Sequence, residues 1–144
     1  NNNLYIKASL WANDNLPHGS IAGSWAAGQL GYNLQFNLIQ LEGLVNSNYY
    51  LDILKEQNFR KYTCEQKINY LFLNALYKEK GIEKFDPKML YRETSMIRTY
   101  RGIYLEDVWE HLELIWHADE QYSKNLNHYS TFFIWKIDPK LCDE

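Results

Sequence analysis

Leu105-Glu106-Asp107-Val108-Trp109-Glu110-His111-Leu112-Glu113-Leu114-Ile115-Trp116-His117-Ala118-Asp119-Glu120-Gln121, residues 105–121, is the stretch whose reading decides the fold. Its apolar residues recur at intervals of three and four. Leu105, Val108, Trp109, Leu112, Ile115 and Trp116 gather on one side of a helical wheel, and Glu106, Glu110, Glu113, His117 and Glu120 line the opposite side. A surface helix buries one stripe and wets the other, so the spacing predicts an amphipathic helix with its indoles inward.

The same period extends upstream. Thr63 and Gln66 have capping-box spacing for a helix that ends at Gly81 and buries Cys64, Ile68, Leu71, Phe72, Ala75 and Leu76. Asp86-Pro87 reads as a cap followed by Pro at the first helical position, opening a helix that carries Met89 and Leu90. Ser47 can cap a short helix through Tyr50, Ile53 and Leu54. Leu4 to Ala12 fits a further short helix with Leu4, Ala8 and Trp11 on one side, though strand-like alternation also fits, and the break Asn13-Asp14-Asn15-Leu16-Pro17 closes it.

Two stretches are double-valued. Gly19, Gly23, Ala27 and Gly31 form a smooth stripe at helical spacing, followed by Leu30, Leu34, Leu38, Leu41 and Val45 on one arc. Residues 32–38 nevertheless alternate as a strand would; the longer arc favours helix. Residues 131–137, Thr-Phe-Phe-Ile-Trp-Lys-Ile, are dense in β-formers and fit a short strand or a buried helix. The expected architecture is a mainly α, single compact domain over residues 1–144, a bundle or short helix-hairpin array with at most one short strand near its end. An α+β arrangement is the alternative. Ala26-Ala27-Gly28-Gln29-Leu30-Gly31 and Leu73-Asn74-Ala75-Leu76-Tyr77-Lys78-Glu79-Lys80-Gly81-Ile82 resemble the helix-hairpin wording of Sel1-like repeats. That resemblance implies paired helices and a binding role.

A chain of 144 residues can bury a core without metal or disulfide staples. Twelve Tyr, six Phe and five Trp exceed what a core can satisfy, so some should face partners. Net charge is −3, which disfavours nucleic acid as a partner. Charge is polarised: residues 55–101 carry eleven cations and six anions, residues 102–144 three cations and nine anions. Cys64 and Cys142 lack metal-site spacing; two separate thiols are favoured over a bridge. Gly19 to Leu41 holds no charged residue, but five Asn and Gln side chains argue against a membrane span. A soluble protein is expected, with a periplasmic or secreted setting favoured over a cytoplasmic one.

Several constellations compete for a function. His18-Gly19-Ser20 with Asp14 contains nucleophile and base residue types, but loop neighbours rarely converge, and a turn with a Ser cap explains them. Asp107 with His111, and Glu113 with His117, stand one helical turn apart, as metal ligands do, with His128 or Asp119 as further donors. The same residues also compose the wet side of the helix. Glu110 and Glu113 as a glycosidase pair lack any sign of a desolvated acid. Cys64, on a buried face, is inert. The cations of residues 55–101 interleave with Tyr and also with Glu.

The leading expectation is a non-enzymatic protein-binding domain, in the manner of an inhibitor or immunity-type protein, masking a basic partner with the acidic helix face of Glu106, Glu110, Glu113, His117 and Glu120. A small metal-dependent hydrolase using His and Glu of residues 105–128 is the alternative. Phosphate or RNA binding through residues 55–101 is the third. No cofactor and no membrane partner are expected.

Overall fold

The computed structural model describes residues 3–25, 30, 33–41, 49, 52–53, 56, 58–77, 107–123 and 128–143. In chain order they form α1 (Asn3–Asn15), β1 (Ile21–Ser24), β2 (Asn37–Gln40), α2 (Phe59–Glu65), β3 (Tyr70–Tyr77), β4 (Leu112–Ser123) and β5 (His128–Ile137). Short 3-10 turns cover Trp109–His111 and Pro139–Cys142. The five strands make one mixed sheet in the order β2-β1-β3-β5-β4. β1 runs parallel to β2 and β3, and β5 runs antiparallel to β3 and β4. The chain is therefore α+β, and the mainly α expectation is overturned.

Burial on both faces explains the two central strands. Tyr70 and Phe72 of β3 join Phe132 and Ile134 of β5 in a core beneath α1. Leu71 and Leu73 join Phe133, Trp135 and Ile137 in a second core beneath α2. A strand covered on both sides is apolar at successive positions, so no alternation marks it. The helix expected from Thr63 to Gly81 is in fact two elements. α2 ends at Glu65 with Thr63 buried inside it, and β3 follows from Tyr70. Residues 73–77, half of the second Sel1-like stretch, lie in β3 rather than a helix hairpin.

β4 shows why the deciding stretch misleads. Leu112 and Leu114 face the α2 side, packed with Val108 and Trp109 of the preceding turn, while Ile115 and Trp116 both pack on the α1 side. The register with β5 slips between Leu114 and Trp116, leaving Ile115 as the extra residue of a bulge. A 3-10 turn followed by a bulged strand thus places apolar residues at intervals of three and four without any α-helix.

The two parallel crossovers travel in opposite directions across the sheet. Leu30, Leu34 and Phe36, between β1 and β2, pack on the α1 side, whereas α2, between β2 and β3, packs on the other. Opposite directions on opposite faces give both connections the same hand. The uncharged stretch 19–41 contributes β1 and β2, and among the described residues no helix is long and apolar enough to cross a membrane.

Local polar contacts fix the ends. Asn13 donates through Nδ2 to the Asn33 carbonyl (2.6 Å) and accepts the Gln35 N–H on Oδ1 (2.8 Å), tying the end of α1 to the approach to β2. Asn74 donates to the Tyr5 hydroxyl (3.0 Å) and accepts from Ser130 (2.6 Å), so the α1 core carries a satisfied polar chain. Cys64 and Cys142 are bonded, with Cα atoms 5.6 Å apart, in place of the two separate thiols expected. The helices expected from Ser47 and Asp86-Pro87 lie largely or wholly outside the described residues.

Candidate functional site

The five residues expected on one helix face are dispersed. Glu106 lies outside the described residues; Glu110 is in the turn before β4; Glu113, His117 and Glu120 are on β4. Glu113 pairs with Lys136, whereas His117, beyond the bulge, pairs with Phe133, whose side chain belongs to the α2 core. The bulge thereby sends Glu113 and His117 to opposite faces of the sheet. Glu120 is seven residues beyond Glu113, roughly 23 Å along an extended strand. A single acidic helix face does not form, and nothing here supports the inhibitor or immunity-type role in particular.

The histidines are likewise spread. His128 pairs with Ser123 of β4, six residues past His117, and His111 precedes β4. Each step along the strand is roughly 20 Å, far beyond the reach of one ion. Among the described residues no group of three or more His, Cys, Asp or Glu is placed to hold a metal. Asp119 is half-buried, and its Oδ1 accepts the Thr131 hydroxyl (2.5 Å).

The structure does bring together a different set, at the end of the sheet where β5 finishes and β4 begins. Glu110, His111, Glu113, Lys136, Asp138 and Pro139 line a shallow cleft of about 220 Å³. Pro17, His18, Ser20, Asn69 and Tyr70 line a second of about 280 Å³, which shares Lys136 and Pro139 with the first. Backbone bonds build this end. The Asp138 N–H donates to the His111 carbonyl (2.8 Å) and the Ile137 N–H to the Asn69 carbonyl (2.9 Å). Asn69 Oδ1 accepts the Ile21 N–H (2.9 Å), and the Asn69 N–H donates to the Ile21 carbonyl (2.8 Å).

Ser20 is buried, and its hydroxyl donates to the Pro17 carbonyl (2.6 Å). It closes the turn in which Gly19 adopts φ +83, and this contact supplies no activation by His18. No protein-family model matches the chain, and no curated protein resembles it in sequence.

Beside the cleft, the backbone N–H of Arg60 donates to Asp107 Oδ2 (2.9 Å), and the Arg60 guanidinium donates to the Leu141 carbonyl through Nε (2.9 Å) and Nη2 (2.5 Å). Arg60, expected among phosphate-binding cations, is therefore spent on internal bonds. Burial pushes the Asp107 carboxyl above the ordinary range, against the lowering effect of its backbone bonds and of the Arg60 charge. Asp107 Oδ1 is buried without a partner. A carboxyl raised on folding favours the folded state while protonated. Its contribution is present below the unfolded pKa and is lost as pH climbs through the higher folded value. Asp107→Asn should therefore flatten the stability profile from the ordinary carboxylate range upward. Urea midpoints collected against pH check this; an unchanged slope contradicts it.

Sequence reasoning reached Glu110, His111 and Glu113, but missed Lys136, Asp138 and Asn69. One signal was present: Asp138-Pro139 repeats the cap-then-Pro pattern read at Asp86-Pro87, and Asp138 Oδ1 does accept the Lys140 N–H (3.0 Å). Asn69 carries no local signal, since its role depends on β1 and β5 arriving beside it.

Proposed function

We propose that the protein is a non-enzymatic binding domain that takes an extended, basic segment of a partner protein along the outer edge of β4. The supporting observation is the position of β4: twelve residues long and last in the sheet, with no strand on its far side among the described residues. Register breaks at Ile115 and Tyr122 bracket Trp116–Gln121, which keeps regular pairing with β5. A strand of that length offers main-chain donors and acceptors to an added strand, while neighbouring side chains select its sequence. Glu110, Glu113, Asp119 and Glu120 surround the edge, with Lys136 opposite Glu113. That balance attracts a cationic segment and opposes pairing with a second copy of the same acidic edge.

The partner reading thus moves from a helix face to a strand edge, with Glu110, Glu113 and His117 exposed along it. The bridge between Cys64 and Cys142 supports an oxidising setting, as in a periplasm or outside the cell.

Two soluble decapeptides, one alternating Lys with Val and the other Glu with Val, test the proposal by titration calorimetry. The Lys peptide should bind and the Glu peptide should not, and Glu110→Lys with Glu113→Lys should weaken binding about tenfold or more. Equal behaviour of the two peptides, or a charge-reversed variant that binds as before, overturns it.

A further inference from the structure

We infer that the Cys64–Cys142 disulfide is a redox-operated latch: its reduction releases the turn Pro139–Cys142, and with it one wall of the cleft, while the sheet stays in place. The inference stands apart from the partner reading, since it concerns which segments the bridge holds.

The bond joins the last turn of α2 to the turn that follows β5, across 78 positions of chain. Cys142 is an exposed residue and Cys64 is half-buried, so an attacking thiolate has access from the Cys142 side. Without the bridge, the turn is held by buried Leu141, by the Arg60 guanidinium on the Leu141 carbonyl, and by the Asp138 cap on Lys140. These are few attachments for a segment outside the sheet. The strands have a further hold: β3 and β5 pair along 70–77 and 129–136. Phe72, Phe132 and Ile134 are buried beneath α1 in a core that contains neither cysteine, whereas Cys64 and Leu141 pack in the α2-side core with Phe133 and Trp135. Such a division favours opening of one part over unfolding of the whole.

Arg60 couples the latch to the cleft. Its backbone N–H holds Asp107, at the start of the turn leading to Glu110 and His111, and its guanidinium holds Leu141. The two turns that wall the cleft are thereby fixed by residues of α2 lying one helical turn apart, Arg60 and Cys64.

The reductant is a dithiol. Its thiolate attacks Cys142 Sγ, the Sγ–Sγ bond breaks, and Cys64 leaves as a thiolate. The second thiol of the reductant then displaces Cys142 from the mixed disulfide. Two electrons and two protons pass to Cys64 and Cys142, and the reductant departs as a disulfide.

Amide hydrogen exchange before and after treatment with dithiothreitol tests the latch. The amides of Asp138, Leu141 and Asp143, bonded to the carbonyls of His111, Asp138 and Lys140, report on the turn; those of β3 and β5 report on the sheet. Reduction should speed exchange in the turn about tenfold or more and leave β3 and β5 unchanged. The Cys64→Ser, Cys142→Ser double variant should show the same pattern without reductant. A rise spread equally over β3 and β5 would make the bridge a global staple and overturn the inference, as would an unchanged turn.

Discussion

Replacing Trp135 by Ala is expected to lower the unfolding free energy by about 3–5 kcal/mol, the range for removing a large buried aromatic side chain. Trp135 is buried in β5, opposite Leu71 of β3 and Leu114 of β4. Its ring stacks on Phe133 at 5.3 Å and meets Trp109 edge-on at 5.6 Å. Truncation therefore removes the side chain that joins three strands to the turn before β4, and the cavity lies beneath α2 where relaxation is limited. Urea unfolding should show a lower midpoint with an unchanged slope, the mark of lost stability rather than an altered denatured state. A loss below about 1 kcal/mol would contradict the placement of Trp135 at the centre of the core.

The second large effect comes from adding atoms. A Cβ built on Gly23 would lie 2.8 Å from Leu41 Cδ1 and 3.3 Å from Ile68 Cδ1. Both neighbours are buried, and Gly23 sits in β1 between β2 and β3, so neither the strand nor the side chains can withdraw freely. Gly23→Val should cost about 1–3 kcal/mol through overpacking. The cause can be isolated, because Leu41→Ala opens the space that the added isopropyl group needs. The double variant should lose less than the sum of the single losses, an interaction visible in a double-mutant cycle. Strict additivity would contradict the close approach.

These contacts also explain how far the sequence could be read. Regularly spaced small residues suggested one helix stripe, yet Gly19 serves a left-handed turn and Gly23 a close approach within a strand. Two unrelated steric needs fell at helical spacing by coincidence. α1 was legible because Leu4, Ala8 and Trp11 share one side and a break follows locally, although the helix runs on to Asn15 and so overlaps the break expected at Asn13 to Pro17. The β-formers of residues 131–137 were legible as a strand option, which β5 takes up. β3 was not, because its residues 70–73 are buried on both faces and show no alternation. The 3-10 turn before it and the bulge at Ile115 hid β4, since together they break the period of two and leave apolar residues at steps of three and four.

The site was legible only where it is local. Glu110, His111 and Glu113 stand close in sequence and reach one cleft. Lys136 joins them through the β4–β5 register, and His18 and Asn69 approach through the order of β1, β3 and β5, relations that no short window of sequence contains. The disulfide was hidden for the same reason, since α2 and the turn after β5 meet only once the sheet is assembled.

Both the fold and the binding edge depend on residues 112–123 being a strand paired antiparallel with residues 128–137. Proton–proton contacts in solution decide this directly. Close backbone approaches between Leu114 and Trp135, Ala118 and Phe132, and Asp119 and Thr131 are the expected result. Contacts running from each residue to the third and fourth ahead of it along 112–123, with none across to 128–137, would contradict it.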